Sequence, residues 1–231
     1  MAVPVIVGVG AGASGIGAVT APLPAGYTAV ADDIWVTFCE CESADAVTAP
    51  FGWAIVTNSV CASGTTTELT AIWHRAAVGD TAPSIADVGN HLGTRMIVLR
   101  YCVTSGNPWD IFATAQELTA DTSVSIPGLT TAVADCLVLA AFSTGQDTAS
   151  VAGATGWANA SLANVTERMD NWVTDGLGGG FAMASGEKAV AGVVSATTAT
   201  LSLTANFKAL MSVAMMGATQ VQPSLAMARS R

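Results

Sequence analysis

At 231 residues and a net charge of −9, the chain can bury a core of its own. It lacks the basic stripe that would neutralise phosphates, which argues against nucleic-acid binding. Hydrophobic residues make up 51% and charged residues only 11%, against roughly 25% charged in an ordinary domain, so small, weakly polar side chains must coat much of the exterior. Such a surface is easily covered by neighbours and points to a permanent homo-oligomer.

The opening, VIVGVGAGASGIGAVT from Val5 to Thr20, nearly spells a dinucleotide-binding loop, with a strand running into Gly10, Gly12, Gly15 and Gly17. Holding a pyrophosphate would need a helix N-terminus after the glycines, and Pro22 and Pro24 prevent one by removing donors and favouring extended backbone. The segment also resembles the cofactor loop of short-chain dehydrogenases, but neither Tyr27 nor Tyr101 is followed by the lysine of that family. The reading is a glycine-rich strand and loop, with no cofactor.

Downstream, period-two alternation dominates. DIWVTFCECE sets Ile34, Val36 and Phe38 opposite Trp35, Thr37, Cys39 and Cys41; TTTELTAIWHRAA and HLGTRMIVLRYCV alternate likewise. TSGNPWD is a turn signal, and TSVSIPG, DCLVLAAFST, GGGFAMASG and TATLSLTANFKALMSVAMM are further strand-like pieces. The prediction is an all-β, antiparallel two-sheet sandwich of jelly-roll type with long loops. Its inner faces would bury Ile34, Val36, Phe38, Ile72, Ile97, Leu99, Leu137, Leu139, Leu201 and Leu203. Only ATAQELTA and ANASLANVTERMD could hold a helical turn. One domain spans 1–217, residues 218–231 form a C-terminal arm or tail ending in Arg229 and Arg231, and no internal repeat is evident. No membrane span is long enough to be read, and without a positively charged leader the chain is expected to be made in the cytoplasm.

Candidate chemistry is sparse. Cys39, Cys41, Cys61, Cys102 and Cys136 read as reduced, buried thiols; C-x-C without a matching pair or histidine does not make a metal site. A Ser–His–Asp arrangement would need His74 or His91 beside Asp80, Asp87 or Asp110, with a serine such as Ser14, Ser63 or Ser185 on an elbow, yet the elbow signature is absent. Glu40 with Glu42 reads as a solvated strand edge, Asp32 with Asp33 as a turn, and Glu117 with Asp121 as a short helical surface. DNWVTDGLGGG, from Asp170 to Gly180, reads as a mobile loop, since it lacks the oxygen spacing of a calcium loop. No catalytic residue is expected. Trp53, Trp109, Trp157 and Trp172 lie in turn-like contexts where indoles either stack on sugars beside Asp110, Asn159 or Asp170, or anchor a subunit contact.

The pieces LTAIWHRAAVGDTAPSI, RMIVLRYCVTSGNPWDI, TSVSIPGLTTAVADCLVLAAFSTG, NVTERMD, GGGFAMASGEKAVAG and ATTATL resemble proteins encoded among the virion structural genes of tailed bacteriophages. The similarity runs from Val5 to Ala214, and the Arg-ended tail departs from it. The resemblance implies a compact, β-rich, non-enzymatic component of the particle. It would decorate or stabilise the outside of head or tail and contact itself, with a trimer favoured in such positions, and other virion proteins, after assembly in the host cytoplasm. The alternative is a carbohydrate-binding module that recognises a glycan on the host surface.

Overall fold

A computed structural model describes residues 2–42, 47–62, 66–86, 90–146, 153–205 and 207–218. Of the arm expected at 218–231 all but Ala218, with Arg229 and Arg231, lies outside the described residues, as do Ser63 and Asp87. The alternating segments form β1 (Val5–Val9), β2 (Ala13–Gly15), β3 (Val19–Thr20), β4 (Ile34–Cys41), β5 (Ala54–Cys61), β6 (Thr67–Arg75), β7 (Ser84–Ile85), β8 (Leu92–Arg100) and β9 (Trp109–Glu117). The second half forms β10 (Asp121–Ile126), β11 (Leu129–Thr131), β12 (Cys136–Thr144), β13 (Ala154–Ala158), β14 (Ala163–Val173), β15 (Gly179–Lys188), β16 (Gly192–Val194), β17 (Thr197–Ala205) and β18 (Lys208–Met216). The described residues contain no helix. ATAQELTA ends β9, and ANASLANVTERMD runs into β14, where pairing with β15 overrides local helix preference. DNWVTDGLGGG is likewise mostly strand, with only residues 174–178 between β14 and β15.

Every ladder is antiparallel. One large sheet has the order β1-β8-β4-β6-β5, with β2 also on β8; the other runs β14-β15-β12-β18-β9. Ile34, Val36, Phe38, Ile97 and Leu99 of the first sheet share one core cluster with Leu137, Leu139, Phe181, Met183 and Val213 of the second, so the sheets pack face to face. Each outer face is covered as well. Trp35, Cys39, Met96 and Val98 lie beneath Val19, Ala21 and Ile85 from the β3-β7 pair and its loops. On the far side, Ala140, Phe142, Ala182 and Leu210 lie beneath Val124, Ala199 and Leu201 of the three-stranded sheet β10-β17-β13. All eight residues of β4 and all nine of β12 are therefore buried. Burying each large aliphatic or aromatic side chain contributes about 1.5–3 kcal/mol. Three residues of the expected inner core sit elsewhere: Ile72 faces the outer cluster, Leu201 belongs to the cover-sheet cluster, and Leu203 of β17 is 41% exposed.

The two halves repeat one topology, contrary to the sequence reading. Taking as the long strands of each half the five on the main path of its large sheet, in chain order, both sheets read first, fifth, second, fourth, third: β1-β8-β4-β6-β5 and β9-β18-β12-β15-β14. Each half enters its second long strand through the same pentapeptide, Thr28–Asp32 and Thr131–Asp135. The closing aspartates both take a left-handed conformation, with φ of 67° at Asp32 and 57° at Asp135. Their amides donate to equivalent carbonyls just past the fourth long strand, Asp32 to Ala76 at 3.0 Å and Asp135 to Ala189 at 3.3 Å. The repeat escapes detection because little else in the sequence of the two halves agrees.

The N-terminal glycines answer to packing. A Cβ on Gly10 would lie 2.0 Å from the Pro22 carbonyl oxygen, and one on Gly12 would lie 1.9 Å from Asn171 Oδ1. The loop is threaded between a proline segment and β14, and β2 follows it where a nucleotide fold would place a helix. Gly10→Ala is therefore expected to destabilise the protein by about 1–3 kcal/mol, the cost of overpacking. Gly15→Ala, whose nearest neighbour would be Val19 Cγ2 at 3.5 Å, should change stability little. Urea midpoints of the two variants check the contrast.

Candidate functional site

The most elaborate polar constellation lies where β4 and β8 meet at one end of the first sheet. The left-handed turn at Asp32 delivers Asp33, 2% exposed, to the start of β4. Extending the register Ile34↔Leu99 by one residue sets Asp33 opposite Arg100. The guanidinium donates from Nε to Oδ1 and from Nη2 to Oδ2, both at 2.7 Å, a bidentate geometry that fixes the plane of both groups. Tyr27 donates its hydroxyl to Asp33 Oδ2 at 2.9 Å and accepts from Trp35 Nε1 at 3.0 Å. Burial pushes the Tyr27 hydroxyl above its ordinary pKa, and the Asp33 hydrogen bonds raise that of Arg100.

Rings extend this network across the outer face of the sheet. Trp35 meets Tyr27 edge-on at 6.1 Å and lies 5.7 Å from His74, which stacks on Trp53 at 5.1 Å. His74 Nε2 lies 2.7 Å from Asp80 Oδ2, and Nδ1 lies 3.0 Å from the Gly52 carbonyl. Hydrogen bonds from the Ala77 amide and then from His74 hold the Asp80 carboxyl below its usual range. The imidazole is thus oriented by two acceptors, in the manner of a positioned structural ring. A hollow of about 250 Å³ on one side of Arg100 is lined by Val30, Asp32, Tyr101 and Cys102. A second, of about 540 Å³, is lined by Val7, Pro24, Tyr27 and Thr28. Arg100 borders both, and two residues in left-handed backbone, Asp32 and Tyr101 (φ 63°), line the first. Such conformations persist only where surrounding contacts enforce them. Chemically, this arrangement suits holding a small polar or anionic group against a guanidinium edge and a phenol.

The four tryptophans singled out from the sequence are half-buried and go to three places. Trp53 belongs to the His74 stack, and Trp109 meets Trp73 edge-on at 5.3 Å beside the inter-sheet core. Only Trp157 and Trp172 come together, 5.9 and 6.5 Å from Phe142 under the second sheet. Trp157 also donates from Nε1 to Glu167 Oε2 at 3.2 Å. Asp110 accepts from the amides of Ala132 and Val133, and Asn159 donates to Ser195 O and Thr197 Oγ1.

Elsewhere, Glu40, read as solvated, is fully buried and bonded to His91 Nε2 at 3.0 Å and Thr67 Oγ1 at 2.9 Å. Glu117 and Asp121 share the buried Lys208 ammonium. The five cysteines are buried, with desolvation pushing Cys102 up to about 12 and Cys136 up to about 11, so both of these stay thiols. No group of three or more metal-ligating side chains occurs among the described residues.

No family model, curated protein or solved structure matches the chain. Arg100, Asp33, Tyr27 and Trp35 escaped the sequence reading because their association depends on register between strands whose paired residues Asp33 and Arg100 are 67 positions apart; the one local signal was the Asp32–Asp33 pair before a strand. Arg100→Met strands a buried carboxylate and is expected to cost roughly 2–4 kcal/mol, the low side of the range for a broken buried pair because the Arg100 head is partly solvated. Adding Asp33→Asn should recover part of the loss, read by thermal and urea unfolding in a double-mutant cycle.

Proposed function

We propose that this chain is a non-enzymatic structural protein of a tailed-bacteriophage virion, stabilising or decorating the outer surface of head or tail through contacts between copies. The family resemblance supports the virion setting. The observation that carries the assembly reading is an uncharged apolar rim where the two large sheets adjoin. Ser59 Oγ donates to Ala115 O, and Cys61 Sγ to Glu117 O, at one constant offset, which lays β5 alongside β9. Along these strands and the residue following Glu117, Ile55, Val60, Ile111, Phe112 and Leu118 are exposed. The only ionisable groups in the two strands besides the Cys61 thiol are Asp110, which caps two amides, and Glu117, which holds Lys208.

A second copy of the chain is the occupant that fits. Two bodies of net charge −9 repel across their acidic surfaces, and a neutral apolar rim is where they can approach without opposing like charges. The face-to-face sheets support a β-sandwich. Each sheet is drawn from one half of the chain, so a duplicated sandwich describes the strand order better than the interleaved strands of a jelly roll. No helix among the described residues is long and apolar enough to cross a membrane.

A carbohydrate-binding tail module is the second reading. It is supported by half-exposed Trp157 with its indole on Glu167, close to Asp170, an aromatic and carboxylates grouped as sugar sites group them.

Light scattering coupled to size exclusion should return a multiple of 23.2 kDa, threefold by the sequence expectation. Ile55→Lys with Phe112→Lys should shift it to the monomer without loss of folded signal. A wild-type monomer at high concentration overturns the assembly reading. Quenching of tryptophan fluorescence by host polysaccharide, lost in Trp157→Ala, would favour the second reading.

A further inference from the structure

Asp32 and Tyr101, the two left-handed residues, line the hollow of about 250 Å³ beside Arg100. For a side chain as bulky as tyrosine this backbone is an outlier, and the chain around it is braced. The Ala218 amide donates to Tyr101 O at 2.6 Å and the Val103 amide to Met216 O at 3.2 Å, while Arg75 donates from Nη1 to Val103 O and from Nη2 to Gly106 O. In the second half Met216 stands where the first has Arg100, so Gly217 is the counterpart of Tyr101. A Cβ on Gly217 would overlap the Ala2 carbonyl. The topology therefore asks for no side chain at this place, yet the first half holds a strained tyrosine there, 58% exposed, beside open space.

We infer that this hollow binds one ring of a neutral saccharide, with Tyr101 against the apolar face of the ring and Asp32 and Arg100 on its hydroxyls; this rests on the carbohydrate-binding reading and places the site at Tyr101 instead of Trp157.

Charge selects the ligand class. Asp33 takes the Nε and Nη2 donors of Arg100 and balances its charge, so the guanidinium offers N–H groups without a net pull on an anion. The charge left over on the lining is the Asp32 carboxylate, which repels one. Neither that carboxylate, nor the Tyr101 hydroxyl, nor Arg100 Nη1 has a hydrogen-bond partner among the described residues. Hydroxyl groups answer such a set, since each can donate to Asp32 or accept from Arg100. Val30, Cys102 and Ala218 make the rest of the lining largely apolar, and a tyrosine ring offers the C–H face of a pyranose a flat apolar surface. At about 250 Å³ the hollow falls below the roughly 300–1,000 Å³ of pockets for drug-sized ligands, which limits the occupant to a single ring. The braced walls mean that little ordering is left to oppose binding.

Saturation-transfer NMR on the full chain tests this, with methyl α-D-glucopyranoside, methyl β-D-galactopyranoside and N-acetyl-D-glucosamine as probes. At least one should bind with half-saturation in the millimolar range and shift the Arg100 Nε–H resonance. Tyr101→Gly suits the left-handed backbone and removes the ring, so it should weaken binding by about tenfold or more while the thermal midpoint stays close to that of the wild type. Tyr101→Phe should keep both binding and midpoint. Asp32→Asn, which also tolerates this backbone, should weaken binding to a similar degree and decides the matter if Tyr101→Gly folds poorly. Failure of all three probes to bind, full binding in Tyr101→Gly, or displacement of the sugar by inorganic phosphate at constant ionic strength overturns the site. Binding kept in Tyr101→Gly but lost in Trp157→Ala overturns it while leaving the carbohydrate reading in place at the other aromatic.

Discussion

The central strands of this protein have no solvent face. β4 and β12 each lie between two neighbouring strands in their sheet and between two layers above and below it, and this double burial dictates much of the rest. A strand covered on both sides must be apolar or small throughout, which is why CLVLAAFST and KALMSVAMM read as near-continuous runs where a half-exposed strand would alternate strictly. It also gives the shortage of charge an internal cause. Positions that would hold lysine or glutamate on a two-layer sandwich face another layer here. Composition alone therefore argues less strongly for assembly than it first does, and the weight passes to the uncharged rim of β5 and β9.

Double burial also makes every interior polar group expensive to leave unsatisfied. Glu40 in the middle layer is held by Thr67 and His91, and Thr67 in turn bonds Ser143 Oγ at 2.8 Å, so a polar thread crosses from the first sheet to the second. Lys208, fully buried at the start of β18, is surrounded by Glu117, Asp121 and the Thr119 carbonyl. These groups fix the relative register of sheets whose apolar faces alone would tolerate sliding, since hydrophobic contact is non-directional and paired polar atoms are not.

Period-two alternation made the strands and their antiparallel class legible, and the inward set Ile34, Val36, Phe38, Ile97, Leu99, Leu137 and Leu139 follows from it directly. Alternation cannot say what covers the second face, so Ile72, Leu201 and Leu203 were misplaced. It is equally silent about a strand whose local residues favour a helix, as in β14. The glycine loop misleads for a related reason: a glycine required by a nearby carbonyl and one required by a phosphate look alike until the neighbour is known. Sites built across strands are the least visible. Trp53, Trp109, Trp157 and Trp172 share a local context but not a place, whereas Tyr27, Asp33, Trp35 and Arg100 share a place but no motif.

The repeat supplies an internal control for that last constellation. Asp135 is the counterpart of Asp32, so Cys136 occupies the position of Asp33, and its partner across the ladder is Met216, at the end of the strand equivalent to β8. One half thus closes this corner with a bidentate ion pair and the other with a thiol and a thioether, on the same topology and beside the same left-handed aspartate. Replacing a buried ion pair by apolar groups is often neutral or favourable for stability, and the second half shows that the fold accepts the exchange. The architecture therefore does not require Arg100 and Asp33. What sets the first half apart at this corner is the pair of hollows that Arg100 borders, with Tyr27 beside one and left-handed Tyr101 beside the other. The charge of the first half stands where there is open space next to it.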